Sequence, residues 1–124
     1  MGGARVVPVM IDRPYYELEL LLGKLNGFLL PGGGDALIYE DGSYSFTVNT
    51  ACSLIKYIQR LNDEGIYYPI WATCQGFEIL TLCMAEDSSV MEHFAADNPS
   101  FMSKLIFTSQ LTGSKMFDND ILYS

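Results

Sequence analysis

The sequence predicts a three-layer α/β fold, in which a mainly parallel sheet lies between two layers of helices. Short apolar runs alternate with longer runs whose apolar residues recur at helical spacing, and this alternation is typical of parallel sheets. Small residues directly follow two of the apolar runs, at the strand ends where such sheets bind ligands. The chain has 124 residues, of which 49% are hydrophobic, so it can form one domain around a single core.

A strand and a helix are predicted first. Residues 5–11 have strand composition, and Pro8 near their middle favours an edge strand or a bulge. Pro14 suits the first turn of a helix, and Asn26-Gly27 is a signal for its end. One face of this helix carries four leucines at helical spacing: Leu18, Leu21, Leu22 and Leu25.

The next apolar run, residues 28–31, is short and continuous, which predicts a strand buried on both faces. It stops in Gly32-Gly33-Gly34. Residues 35–45 are predicted to form a loop or lid with a turn at Asp41-Gly42.

A longer helix is predicted over residues 46–62 and is broken by residues 63–65. A strand over residues 66–73 and a helix over residues 75–85 follow, and this last helix is apolar on most sides, so we expect it to be deeply packed. Residues 98–100 are predicted to form a turn and residues 104–108 a strand. The periodic face of the longer helix contains Val48, Ala51, Cys52, Ile55 and either Ile58 or Gln59.

Composition argues against two classes of partner. The net charge is −8 with only seven basic residues, all scattered, whereas nucleic-acid binding needs clustered Lys and Arg. No apolar run approaches the roughly 20 residues of a membrane span, and the first ten residues lack the pattern of a signal peptide. We therefore expect neither nucleic acid nor a membrane as partner.

Cysteine and histidine usage argues against a metal site. Three cysteines make an odd count without a CxxC pattern, which disfavours a closed disulfide framework. Cys52 and Cys83 fall on apolar helical faces and are expected to be free and buried. His93, the only histidine, is expected to have a surface or packing role. No metal or other cofactor is predicted.

Cys74 lies directly between a predicted strand and a predicted helix, within "PIWATCQGFEIL" (69–80). The positive end of a helix dipole favours the thiolate of a cysteine placed there. Small-x-nucleophile-x-Gly is the pattern of a nucleophile elbow, here with Ala72 and Gly76 as the small residues. The alternative is a small buried residue at a tight corner, and the spacing by itself leaves both interpretations open.

The Gly32–Gly34 run also has more than one interpretation. Glycines at a strand end expose backbone N–H groups, and one of these, together with the N–H of Gln75, would form an oxyanion hole. A phosphate-binding loop is disfavoured because no GK[ST] follows. A glycine turn without a binding role is the third possibility.

Two segments together resemble the γ-glutamyl hydrolase family, which comprises cysteine peptidases of the class I glutamine amidotransferase-like, flavodoxin-like fold. They are "NGFLLPGGGDAL" (26–37) and "YYPIWATCQGFEIL" (67–80), which contain the P-G-G and W-x-T-C-x-G-F-E patterns of the family at the expected separation. Weaker likeness in "GARVVPV" (3–9) and "SQLTGSKMF" (109–117) extends the resemblance over nearly the whole chain.

The resemblance implies a role for four residues. Cys74 is the expected nucleophile toward a γ-glutamyl carbonyl, and the backbone N–H groups of Gly33 and Gln75 are expected to hold the oxyanion. Glu78 stands where amidotransferases usually have Gln and is a candidate contact for the glutamyl end of the substrate, with a solvated or capping glutamate as the alternative. The implied substrates are folyl-poly-γ-glutamates, and the implied compartment is the lysosome, the vacuole or the cell exterior.

The sequence departs from the family pattern in three places. Ala72 replaces the glycine that precedes the cysteine in the family motif. This sequence has no counterpart of the W-H-P-E-like segment that carries the catalytic histidine of the family. It also has no counterpart of the first strand and helix of the family. We therefore expect a truncated domain over residues 1–124, slow in amide hydrolysis, with an uncovered sheet edge open to self-association. The alternative functions are a glutaminase domain of an amidotransferase and a catalytically inactive remnant or interaction module.

Overall fold

The computed structural model describes residues 3–91 and Ile106, and residues 3–91 fall within one compact unit of the chain. The predictions for His93, for residues 98–100 and for most of 104–108 lie outside the described residues. Ile106 itself is described and belongs to no strand. The elements in chain order are α1 (Tyr15–Leu22), β1 (Phe28–Leu30), α2 (Phe46–Asp63), β2 (Ile70–Ala72), α3 (Gln75–Ala85) and a 3₁₀ turn (Ser88–Val90).

β1 and β2 pair in parallel, with Leu29 opposite Trp71 and Leu30 opposite Ala72. α2 connects them, so the chain forms a β-α-β unit and the predicted strand–helix alternation is confirmed in this part. The carboxyl ends of the two strands lie at the same edge of the sheet. The chain segments that directly follow β1 and β2 therefore both begin at that edge of the sheet.

α2 organises the core, because its apolar face contributes to both hydrophobic clusters. One cluster joins α2 to α3 and β1, and the other joins α2 to α1 and to Tyr68. The helix begins where Ser45 accepts a hydrogen bond from the Val48 N–H at 3.4 Å. Its buried residues are Val48, Ala51, Leu54, Ile55 and Ile58, close to the predicted face.

α1 buries Leu18 and Leu22 as predicted but ends four residues before Asn26. Gly23 follows the last helical residue, and glycine has a low helix propensity. The Tyr68 hydroxyl donates a hydrogen bond to the Leu22 carbonyl at 3.0 Å, which satisfies one of the carbonyls left free at the helix end.

Three strand predictions need correction. Residues 5–11 form no strand: Pro8 removes a donor, Val6 is 85% exposed, and no described strand lies beside them. β2 spans only Ile70–Ala72 rather than residues 66–73. β1 is buried on one face only, because Leu29 remains 59% exposed and its neighbour Trp71 49% exposed. Within the described residues, the helices thus cover one face of the strand pair.

The prediction that Cys52 and Cys83 are free was wrong, since they form a disulfide with a Cα–Cα distance of 4.9 Å. Both cysteines do lie on the packed faces of their helices. Because α2 and α3 pack against each other, those two faces bring the two sulfurs together. An odd cysteine count is compatible with one bridge and one free thiol.

The loop between β1 and α2 contains the predicted turn. Ile38 and Tyr44 form an isolated antiparallel bridge, and Gly42 takes a positive φ of 81° between them. The Asp41 carboxylate accepts two hydrogen bonds from Ser43, one from the Ser43 hydroxyl (2.6 Å) and one from the Ser43 backbone N–H (2.9 Å). These bonds lower the pKa of Asp41. Among the helices of the described part, none has the length and apolarity that a membrane span requires.

Candidate active site

Cys74 occupies a strained turn between β2 and α3. Its backbone has φ 54° and ψ −124°, in the positive-φ half of conformational space that residues other than glycine rarely enter. Such strain costs on the order of 1–3 kcal/mol and persists only where the surroundings enforce it. Here the Thr73 N–H donates to the Leu30 carbonyl at 3.0 Å, and the Phe77 N–H donates to the Cys74 carbonyl at 2.9 Å. The turn is therefore fixed to the end of β1 on one side and to the first turn of α3 on the other.

Gly76 allows this turn to approach β1. A Cβ placed on Gly76 would overlap the Leu30 carbonyl oxygen and would lie 2.7 Å from the carbonyl oxygen of Pro31. The start of α3 thus packs directly on the backbone at the end of β1, a contact that only glycine permits. Ala72, the other small residue of the pattern, is partly buried against the core.

The Gly32–Gly34 loop lies against the cysteine. A Cβ built on Gly32 would lie 3.2 Å from the Cys74 Cβ and 3.6 Å from the Cys74 Sγ. The loop begins after β1 and the cysteine follows β2, so the parallel pairing of these strands brings the two segments together. The thiol itself is free and exposed to solvent.

Gln75 connects α3 to the residue beyond the glycines. Its side-chain Nε2 donates to the Asp35 carbonyl at 2.7 Å, and its Oε1 accepts from the Asp35 N–H at 3.3 Å. A Cβ on Gly33 would come within 2.5 Å of the Gln75 Oε1. Within residues 3–91, neither the Gly33 N–H nor the Gln75 N–H donates a hydrogen bond. As far as the described residues show, the two segments that meet at Cys74 therefore each carry a backbone N–H donor without a partner.

Glu78 lies in the first turn of α3, with an exposed side chain and its N–H donating to the Cys74 carbonyl at 3.2 Å. The structure therefore places all four candidate residues on two adjacent segments. Sequence reasoning missed the contact between the Gln75 side chain and Asp35. The signal in the sequence that could have indicated this contact is the long polar side chain of Gln75, directly after the predicted nucleophile. The described residues contain no cluster of His, Cys, Asp and Glu that could hold a metal ion.

Curated proteins similar to this chain are γ-glutamyl hydrolases. The chain is 34% identical to "Gamma-glutamyl hydrolase" of Homo sapiens over 118 residues, which are 95% of this chain and 35% of that protein. It is 36% identical to "Gamma-glutamyl hydrolase" of Mus musculus over 116 residues, 94% of this chain and 34% of the relative. Identity to "Gamma-glutamyl hydrolase B" of Dictyostelium discoideum is 34% over 118 residues, 95% of this chain and 32% of the relative.

Two further comparisons gave no match: no protein-family model and no solved structure matches this chain. The curated relatives nonetheless come from an amoeba and mammals, and also from a plant, Arabidopsis thaliana, at 31% identity over 113 residues. The chain spans about a third of the length of these relatives, 35% in the human case. The resemblance to the γ-glutamyl hydrolase family is therefore confirmed over the part of these relatives that the chain spans.

Proposed function

We propose that Cys74 is the nucleophile of a cysteine hydrolase that cleaves γ-glutamyl bonds, with folyl-poly-γ-glutamates as the substrate class. The observation that carries this proposal is the strained backbone of Cys74, which presents an exposed thiol at the start of α3 and against the Gly32–Gly34 loop. Strain of this kind concentrates at functional sites. A cysteine that served only to fill a tight corner would be buried there.

The chemistry follows from this arrangement. The Cys74 sulfur attacks the γ-carbonyl carbon, and the carbonyl oxygen becomes an oxyanion that accepts hydrogen bonds from the Gly33 and Gln75 N–H groups. The intermediate collapses, the C–N bond breaks and the amine leaves with a proton, which forms a thioester on Cys74. Water then cleaves the thioester. Glu78, an exposed carboxylate in the first turn of α3, is suited to accept a hydrogen bond from an amide N–H of the glutamyl chain.

Proton transfer is the step for which residues 3–91 offer no candidate. General acid–base catalysis is typically worth about 10²–10⁴-fold, and an amine leaving group needs the proton. His93 is the only histidine in the sequence, and its context does not match the W-H-P-E-like segment of the family. Cys74 in this chain should therefore react with activated esters, whose leaving groups need no proton, much faster than with amides.

Two substrates test this proposal on the purified chain: a γ-glutamyl peptide and the γ-p-nitrophenyl ester of N-acetylglutamate. We expect p-nitrophenolate release with a thioester on Cys74 detectable by mass spectrometry, no acylation in Cys74→Ala, and slow or undetectable peptide hydrolysis. Failure of the ester to acylate Cys74 would overturn the nucleophile assignment. Peptide hydrolysis at ordinary enzymatic rates would show that the proton source lies within residues 1–124, and His93→Ala would then test that histidine.

The same proposal includes the complete architecture. We propose that residues 1–124 are one part of a three-layer, flavodoxin-like domain, in which a further layer covers the sheet face that presents Leu29 and Trp71. Their exposed fractions, 59% and 49%, support this, because a parallel sheet is ordinarily covered on both faces.

A further inference from the structure

We propose that the Gln75 side chain is a positioning residue that holds the Gly32–Gly34 loop against Cys74 and thereby sets the geometry of the oxyanion hole. This inference rests on the proposed function, because it assigns a role to the same site. It concerns the amide side chain of Gln75, whereas the proposed chemistry uses only the backbone N–H of that residue.

The contact is a pair of hydrogen bonds between one side-chain amide and one backbone residue. Gln75 Nε2 donates to the Asp35 carbonyl at 2.7 Å and Gln75 Oε1 accepts from the Asp35 N–H at 3.3 Å. We call this pair of bonds the Gln75–Asp35 bridge. It uses both ends of the amide, so it fixes the orientation of the side chain as well as its position.

The bridge closes a short path around the candidate oxyanion hole. Asp35 directly follows the glycine loop, and Gln75 directly follows the nucleophile. At its other end the loop is tied to the same turn, because the Thr73 N–H donates to the Leu30 carbonyl and Gly76 packs on Leu30 and Pro31. Three consecutive glycines have the greatest conformational freedom of any tripeptide. With both of its ends attached to the Cys74 turn, the loop has far fewer conformations available.

Gly33 shows that the loop and the bridge fit each other closely. A Cβ on this residue would lie 2.5 Å from the Gln75 Oε1, so any larger residue displaces the side chain that forms the bridge. The same Cβ would meet only the end of a flexible side chain, which can move away at little cost in stability. Gly33→Ala should therefore disturb the bridge while leaving the fold intact.

Two reactions of the Cys74 thiol distinguish a loss of oxyanion-hole geometry from a general loss of thiol reactivity. Acylation of Cys74 by the p-nitrophenyl ester passes through an oxyanion, whereas alkylation by iodoacetamide does not. In Gln75→Leu, which keeps the backbone N–H, we expect acylation to slow about tenfold, as is typical for lost hydrogen bonds, and alkylation to stay within about twofold. Gln59→Leu is the matched control, because Gln59 lies on α2 and contacts Met84 instead.

A double-mutant cycle and amide exchange complete the test. If Gly33→Ala slows acylation by disrupting the Gln75–Asp35 bridge, it should lower the acylation rate of the native chain. The same substitution should then cause no further decrease in a chain that already carries Gln75→Leu. Hydrogen exchange of the Asp35 amide should also accelerate in Gln75→Leu but not in Gln59→Leu. Additive effects, equal losses in acylation and alkylation, or unchanged exchange would each overturn the inference. Failure of the native chain to acylate Cys74 would instead overturn the proposed function, and the exchange measurement would still test the bridge.

Discussion

Cys74 differs from the other two cysteines in both bonding and exposure. It is free and exposed, whereas Cys52 and Cys83 are joined to each other and Cys83 is 5% exposed. In the folded chain without reductant, we expect iodoacetamide to label Cys74 alone. After unfolding in reductant, all three cysteines should be labelled. Mass spectrometry of tryptic peptides reads out the sites, and labelling of Cys52 in the native, unreduced chain would contradict the disulfide.

Gly76 is the residue of the turn that we expect to tolerate substitution least. In Gly76→Ala the new methyl group would overlap the Leu30 carbonyl, so the start of α3 must move away from β1. Overpacking of this kind typically costs about 1–3 kcal/mol. Urea unfolding measures the loss of unfolding free energy, with Gly34→Ala as the control because a Cβ there meets nothing within 4 Å and its φ is not positive. Equal stability of the two variants would contradict the close contact.

At the scale of elements, Tyr68 connects the end of α1 to the segment that leads into β2. Its hydroxyl donates to the Leu22 carbonyl, while its backbone N–H and carbonyl are both bonded by the Asn62 side chain at 2.9 Å. Burial is the largest cause that raises the pKa of Tyr68 above its ordinary value of 10.0, and the nearby Tyr57 adds to it. This phenol therefore loses its proton more readily in the unfolded chain.

The sign of the resulting pH dependence follows directly. A raised folded-state pKa means that the contribution of Tyr68 to stability is fully present below pH 10.0 and is lost as the pH rises through the folded-state value. Tyr68→Phe should lower the free energy of unfolding at pH 7 by about 0.5–1.5 kcal/mol. The difference between the native chain and the variant should shrink above pH 10.0, which chemical unfolding across that range measures. A constant difference would show that burial does not disfavour the ionised phenol.

The sequence allowed the elements with local signals to be predicted, but not those that depend on distant partners. Predicted bounds for α2 and α3 agree with Phe46–Asp63 and Gln75–Ala85 because helical periodicity and the breakers beside it are encoded locally. Residues 5–11 have strand composition but no described neighbour to pair with. The Cys52–Cys83 bond depends on how two helices pack against each other, 31 residues apart in sequence, which periodicity cannot show.

The same limit applies to the site. The small residues and glycines around Cys74 form a pattern within two short segments, so their position at strand ends could be predicted from the sequence. The Gln75–Asp35 bridge joins residues 40 apart in sequence, and only the parallel pairing of β1 and β2 brings them within hydrogen-bonding distance. Their roles in catalysis remain predictions that the experiments above address.

For the whole molecule, net charge opposes association at neutral pH. The chain has a net charge of −8 at pH 7 and a sequence pI of about 4.3, and its described surface exposes Leu29 beside Trp71. Near pH 4.3 the like-charge repulsion disappears, so light scattering should report larger species than at pH 7. Leu29→Thr should reduce the increase without changing the charge. Identical scattering at the two pH values would show that repulsion does not keep the chains apart.

The Cys52–Cys83 bond has a covalent consequence for peptide mapping. Between the two cysteines trypsin has sites only at Lys56 and Arg60, so complete digestion places Cys52 in the peptide of residues 25–56 and Cys83 in that of residues 61–104. The first peptide also contains the Gly32–Gly34 loop, and the second also contains Cys74. Without reductant, the two peptides stay joined by the disulfide. A label on Cys74 and a substitution in the Gly32–Gly34 loop will therefore both shift the mass of this one cross-linked species.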